Sequence, residues 1–138
     1  MCALTAARRG RKVAVLDHAA KPGGKLIISG GGRCNFTNRE VSAENFVSEN
    51  RHFAKSALSR FGPADFIAMV EAHGIGYHEK ELGQLFCDES SKQIVAMLIE
   101  ECRRAGVRID PATAVTDVMA TASGFRLRTA PSHEGGSR

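Results

Sequence analysis

Three consecutive glycines, Gly30 to Gly32, form the part of this sequence best suited to bind a ligand. They follow Ser29 and precede a polar cluster that begins with Arg33, Cys34 and Asn35. A glycine triplet is costly, because each glycine loses more backbone entropy on folding than any other residue. It is useful where the backbone takes positive φ, or where a planar or anionic group lies against the main chain. The pattern predicts a ligand cradle, with a structural turn as the alternative.

A second candidate, Asp17, follows elements typical of a dinucleotide-binding fold. Residues 1–9 are good helix formers, Gly10 suits the position after a helix, and Val13 to Leu16 form the all-apolar run of a strand covered on both faces. In a βαβ unit of this kind, the acid that ends the second strand hydrogen-bonds a ribose hydroxyl. A merely polar strand end is the other interpretation of Asp17.

These elements predict an α/β fold, namely a partial Rossmann-like domain. Its first strand and its G-x-G-x-x-G fingerprint would lie before Met1 and are missing from the sequence. We therefore expect the sheet position beside residues 13–16, where that first strand would pair, to be unfilled by this chain.

Two segments resemble a family of bacterial two-domain flavoproteins, known as aminoacetone-oxidase-like or bile-acid-reductase-like FAD-binding oxidoreductases. The first is AARRGRKVAVLDHAAKPGGKLIISGGGRCNFTN and the second is HGIGYHEKELGQLFCDESSKQIVAMLIEECRRAGVRI. The resemblance runs from residue 1 to about residue 129, and SGGGRCNFTN is a specific signature. It implies a partial FAD-binding domain at residues 1–130, of the type found in flavoproteins with two dinucleotide-binding domains. Because family members are far longer, we expect a chain truncated at both ends.

The resemblance also implies roles for individual residues. Lys25 would lie beside the FAD, and Val115 would offer its backbone to the adenine. Two further residues are interpreted from their own chemistry and not from the resemblance: Arg33 could pair with a pyrophosphate or with an internal carboxylate, and Asn35 could point at the flavin or close an Asx-type turn. A redox role for Cys34 is disfavoured, because no second Cys lies within a few residues. The predicted cofactor-binding residues are Asp17, Lys25, Ser29, Gly30, Gly31, Gly32, Arg33, Cys34, Asn35 and Val115.

The resulting functional prediction is part of a flavin-dependent oxidoreductase that binds FAD through the glycine-rich loop and the acidic strand end. NAD(P)H is a candidate electron donor, and a small molecule is the expected substrate. No catalytic acid or base is predicted; the neighbours His78 and Glu79 could act as one, but an exposed polar pair on a strand is commoner. Two alternatives stay open: a non-catalytic truncated fragment, and an adenine-nucleotide-binding module without redox activity.

Composition argues against several other classes of function. The net charge of +4 comes from cations scattered without interleaved aromatic residues, so we expect no nucleic-acid partner. No apolar run approaches the roughly 20 residues of a membrane span. The five histidines show no i, i+4 pairing and the four cysteines no C-x-x-C, which predicts no metal site and reduced thiols in the cytoplasm. The sequence predicts no particular oligomeric state.

Apolar spacing and turn residues predict the remaining elements. The apolar run at 26–28 is expected to be a strand that leads into the glycines. The other predicted elements are helices at 53–61, from Pro63 to Gly74 and from Ser90 or Ser91 to Gly106, a hairpin at 75–87, strands at 107–109, 115–119 and 125–129, and a disordered tail at 131–138.

Overall fold

A computed structural model describes residues 1–132 of the chain; residues 133–138, and with them most of the predicted tail, lie outside the described residues. The elements in chain order are α1 (Cys2–Arg8), β1 (Ala14–Leu16), α2 (Gly24–Ile28), β2 (Asn35–Asn38), α3 (Lys55–Arg60), α4 (Pro63–Ala72), β3 (Tyr77–Glu79), β4 (Gln84–Cys87), α5 (Ser91–Arg104), β5 (Arg108–Asp110), β6 (Thr113–Thr121) and β7 (Gly124–Pro131). The chain forms two compact units. The first comprises Met1–Gly24 and the described residues from Leu98 onward, and the second comprises Lys25–Met97.

The first unit contains the predicted helix, glycine, strand and acid. Helix α1 ends at Arg8, Gly10 takes a φ of 77°, and β1 follows at Ala14. Strand β1 pairs in parallel with β5, so that Leu16 lies opposite Asp110. Among residues 1–132, β5 is the one strand that pairs with β1. The long antiparallel hairpin of β6 and β7 completes the unit.

The second unit is built on a three-stranded antiparallel sheet in the order β2-β4-β3. The central strand β4 contributes three consecutive residues to the core, since Leu85, Phe86 and Cys87 are all buried. Val70 of α4 and Ile94 of α5 are also fully buried. Pro63 occupies the first turn of α4, where its missing N–H costs nothing, and Gly74 takes the left-handed conformation after that helix ends.

Two sequence predictions need comment. The apolar run at 26–28 lies in helix α2 and not in a strand, so the predicted strand is wrong. Three apolar residues are too few to distinguish a period of 2 from one of 3.6, and the left-handed turn that follows closes the helix. Pro131, which the tail prediction included, ends β7 and pairs with Thr113. None of the helices in residues 1–132 has the length and apolar character needed to cross a lipid bilayer.

Candidate functional site

The glycine triplet forms a left-handed turn directly after α2. Gly30 and Gly31 have φ/ψ of 57°/31° and 66°/32°, and Gly32 has a φ of 88°. Left-handed backbone costs an ordinary residue roughly 1–2 kcal/mol per position, so three successive positions of this kind require glycine. Cys34 also takes a positive φ, of 52°, without being a glycine. Four of the five residues from Gly30 to Cys34 therefore have positive φ.

The three glycines differ in what surrounds them. A Cβ on Gly30 would lie 2.7 Å from Cε1 of Phe86 and 2.8 Å from the backbone nitrogen of Asn35, so no larger residue fits. A Cβ on Gly31 or Gly32 would have nothing within 4 Å. Gly30 therefore serves the fold, whereas the backbone at Gly31 and Gly32 lies open to a ligand.

Hydrogen bonds hold both ends of the turn. The Ser29 hydroxyl donates to the carbonyl of Leu26 at 3.0 Å, and the backbone N–H of Cys34 donates to the carbonyl of Ser29 at 3.1 Å. The buried Ser91 hydroxyl donates to the carbonyl of Ile27 at 2.9 Å, which fixes the end of α2. The side chain of Ser29 is therefore engaged within the fold.

The two buried thiols beside the turn are neighbours. Cys34 precedes β2 and Cys87 ends β4, and the backbone N–H of Cys87 donates to the carbonyl of Arg33 at 2.9 Å. Burial first, and the neighbouring Cys34 second, raise the pKa of the Cys87 thiol to about 11. A raised pKa disfavours the thiolate, the form in which cysteine reacts. The sequence showed no partner for Cys34 because 53 positions separate it from Cys87 (87 − 34).

The polar residues around the turn point outward. Lys25, Arg33 and Asn35 are exposed. Arg33 makes no ion pair with a carboxylate among residues 1–132, so its pairing with an internal acid is not observed there. Both cations belong to the second unit, together with the glycines and Cys34.

Asp17 and Val115 belong to the first unit. The Asp17 carboxylate accepts a 2.9 Å hydrogen bond from the backbone N–H of Ala19 through Oδ1, and its backbone carbonyl accepts one from Thr113 at 2.8 Å. These hydrogen bonds stabilise the end of β1. Oδ2 of Asp17 has no hydrogen-bond partner among residues 1–132. Val115 lies two residues beyond Thr113 on β6, at an irregularity in the pairing with β7.

A histidine and an aspartate form a pair that the sequence did not reveal. Nδ1 of His78 lies 2.8 Å from Oδ1 of Asp88, whereas Glu79, the partner suggested by adjacency, faces the other way and pairs with Arg39. Side chains alternate between the two faces of β3, so His78 and Glu79 point to opposite sides. The β3–β4 register brings Asp88 close to His78. Across the described residues, no group of three or more His, Cys, Asp or Glu side chains could hold a metal ion.

Comparisons with known proteins agree with this fold. The chain is 49% identical over 126 residues to the "Ribosomal RNA dihydrouridine synthase" of Escherichia coli K12, and 54% identical over 108 residues to the protein of that name from Haemophilus influenzae. These matches cover 91% and 78% of the chain but 32% and 27% of the relatives, so the chain spans about a third of their length. A more distant relative is the "3-dehydro-bile acid delta(4,6)-reductase" of Clostridium scindens, 28% identical over 131 residues, a match that covers 93% of the chain and 32% of the relative.

A solved structure supports the fold alone. The crystal structure of Thermovibrio ammonificans THI4 superposes with a TM-score of 0.54 at 11% identity, covering 94% of this chain and 42% of that one. The predicted Rossmann-like α/β class is confirmed by this likeness and by the family match. That match extends over residues 1–136, and the chain accordingly belongs to the HI0933-like protein Rossmann domain family.

Proposed function

We propose that this chain is the FAD-binding part of a flavin-dependent reductase, and that the whole protein reduces uridine in ribosomal RNA. The cofactor assignment rests on the open backbone at Gly31 and Gly32. Both glycines have positive φ, and they follow Gly30, which packs against the ring of Phe86. The substrate assignment is supported by the names of the two relatives that are 49% and 54% identical.

The residues present are chemically suited to FAD. In the second unit, backbone at Gly31 and Gly32 can approach a flat ring or a phosphate without steric hindrance, and the exposed cations Lys25 and Arg33 suit a pyrophosphate. In the first unit, Oδ2 of Asp17 is available to accept from a ribose hydroxyl, and the β6 backbone at Val115 suits an adenine edge.

When bound, a reduced flavin supplies a hydride, which is the chemistry needed to saturate the C5–C6 bond of uracil. The residues of this chain would bind and orient that cofactor. NAD(P)H is the proposed source of electrons. We propose that the cations of this chain do not hold the RNA backbone, because they are scattered, and that the protein acts in the cytoplasm, where its thiols stay reduced.

Visible absorbance of the purified whole protein tests the cofactor assignment. A flavin spectrum that survives dialysis is expected. Adenine-nucleotide binding without flavin would support the non-redox module, and binding of neither would support a non-catalytic fragment. The substrate is tested separately, by nucleoside mass spectrometry of ribosomal RNA from cells with and without the gene. Unchanged dihydrouridine after deletion of the gene would contradict the assignment of RNA as substrate.

A further inference from the structure

His78 and Asp88 form a pair whose geometry fixes one imidazole nitrogen. Nδ1 of His78 lies 2.8 Å from Oδ1 of Asp88. A carboxylate only accepts, so Nδ1 carries the proton in this pair and Nε2 is the nitrogen left to exchange a proton with a ligand. In residues 1–132 the His78 side chain has no hydrogen-bond partner besides Asp88.

The surrounding backbone is built to bring Asp88 to this position. A Cβ on Gly76 would lie 2.7 Å from Oδ2 of Asp88, so the carboxylate occupies space that any other residue at 76 would fill. The backbone N–H of Asp88 donates to the carbonyl of Gly76 at 3.0 Å. Gly76 therefore leaves room for the Asp88 carboxylate, and the backbone hydrogen bond aligns the two residues across the strands.

An aromatic ring connects the pair to the glycine turn. His78 lies opposite Phe86 in the β3–β4 pairing, and their rings stack with centroids 6.3 Å apart and planes 20° apart. The same Phe86 ring lies against Gly30, whose Cβ position is 2.7 Å from Cε1 of that ring. One side chain therefore separates the imidazole from the turn, and all of these residues belong to the second unit.

We infer that His78, oriented by Asp88, is the proton donor for the reduction. This inference rests on the proposed function. A bound, reduced flavin would supply a hydride to one carbon of the substrate's C=C bond and would itself be oxidised, and the proton on Nε2 of His78 would pass to the other carbon. The C=C bond is reduced, and His78, left neutral with its remaining proton on Nδ1, recovers a proton from water. Asp88 acts as a positioning residue, since its hydrogen bond to Nδ1 fixes the ring and leaves Nε2 as the nitrogen that exchanges the proton.

The test compares three variants of the whole, flavin-loaded protein: His78→Gln, Asp88→Asn and the control Glu79→Gln. The control removes an ion pair from the same strand on its opposite face, the pair of Glu79 with Arg39. Each protein is reduced with dithionite, which bypasses the electron donor, and mixed with ribosomal RNA purified from a strain that lacks the gene. Dihydrouridine formed in a single turnover is measured by mass spectrometry.

We expect His78→Gln to slow this turnover roughly 100-fold or more, the usual contribution of a general acid, and Asp88→Asn to slow it less. Glu79→Gln should stay near the wild-type rate. Flavin absorbance and melting temperature should be retained in all three, which separates a proton-transfer defect from a folding defect. In ¹⁵N spectra of wild-type protein, the neutral His78 ring should carry its proton on Nδ1, and Asp88→Asn should disturb that tautomer.

Three results overturn the inference, and they are distinguishable. A wild-type protein that holds flavin but forms no dihydrouridine overturns the proposed function and the inference together. An active wild type with an equally fast, folded His78→Gln variant overturns the inference alone, and so does a neutral His78 ring protonated on Nε2.

Discussion

Gly30 lies against the ring of Phe86, so closely that a Cβ at residue 30 would come within 2.7 Å of Cε1 of that ring. The contact ties the left-handed turn to the buried central strand of the second unit. It also divides the triplet, because Gly31 is equally left-handed but has open space where a side chain would project. The cost of an alanine should therefore differ between two adjacent positions.

Gly30→Ala and Gly31→Ala form a matched pair. Both should lower the free energy of unfolding by about 1–2 kcal/mol, because alanine is strained at positive φ. Gly30→Ala should lose a further 1–3 kcal/mol or so, because its Cβ overpacks against Phe86. Urea denaturation measures the difference. Equal losses at the two positions would contradict the proposed division of roles.

Flavin absorbance checks the second half of that division. Gly31→Ala should lose flavin out of proportion to its loss of stability, because its methyl group projects into the open space assigned to the cofactor. A Gly31→Ala protein with full flavin occupancy after dialysis would place the cofactor elsewhere.

Cys87 should make stability depend on alkaline pH. Burial, and then the neighbouring Cys34, raise the pKa of its thiol from 9.0 to about 11 in the folded protein. Between pH 9 and pH 11 the Cys87 thiol is ionised in the unfolded chain but still protonated in the folded protein. Its contribution to the free energy of unfolding is therefore complete below pH 9 and is lost as pH rises towards 11. The free energy of unfolding should fall by up to about 1.4 kcal/mol per pH unit from this group.

Urea denaturation at pH 8.5, 9.5 and 10.5 measures that dependence, with Cys87→Ala as the control for other groups that titrate in the same range. The wild type should lose stability more steeply than the variant. Parallel curves would show that the Cys87 thiol ionises equally well in both states. In the same preparations, alkylation at neutral pH should modify the exposed Cys2 well before Cys34 or Cys87.

Local signals in the sequence predicted much of the fold. Helices α4 and α5 have apolar residues at helical spacing over ten or more positions, with Pro63 at one start and Gly106 after one end, and both form where expected. The prediction of a strand at 26–28 was wrong because three apolar residues are too few to show a period. These residues form a helix that ends at the left-handed glycine turn.

The pairs that matter most at the candidate site were invisible to such signals. Cys34 with Cys87 and His78 with Asp88 are brought together by the order and register of the β2-β4-β3 sheet. Register depends on how a whole strand packs, so a residue's sequence neighbours do not reveal it. The glycine triplet was recognisable because its cost is local, but only packing shows that Gly30 differs from Gly31.

The Arg8–Glu101 ion pair should contribute to the stability of the first unit. Arg8 of α1 contacts the carboxylate of Glu101 on α5, whose side chain is 11% exposed. Arg8→Ala should lower the free energy of unfolding by about 1 kcal/mol, because a largely buried carboxylate loses one charged donor while it keeps its contact with Arg104. Arg103→Ala is the matched control, since Arg103 pairs with the more exposed Glu100, and its effect should be much smaller. If Arg8→Ala and Arg103→Ala lower the free energy of unfolding equally, the burial of Glu101 does not strengthen its ion pair with Arg8.

Asp17 is assigned a structural role and a role in binding the ribose, and two substitutions should separate them. Its Oδ1 accepts from the backbone N–H of Ala19, which shapes the loop after β1, and its charge and remaining oxygen are assigned to a ribose. Asp17→Asn keeps an oxygen for Ala19, whereas Asp17→Ala removes both functions. We expect both variants to weaken FAD retention by about 1–3 kcal/mol, and Asp17→Ala to lose stability as well. Equilibrium dialysis measures FAD retention and urea denaturation measures stability. If Asp17→Asn retains FAD fully while Asp17→Ala is destabilised, then Asp17 does not bind the ribose and serves only to stabilise the end of β1.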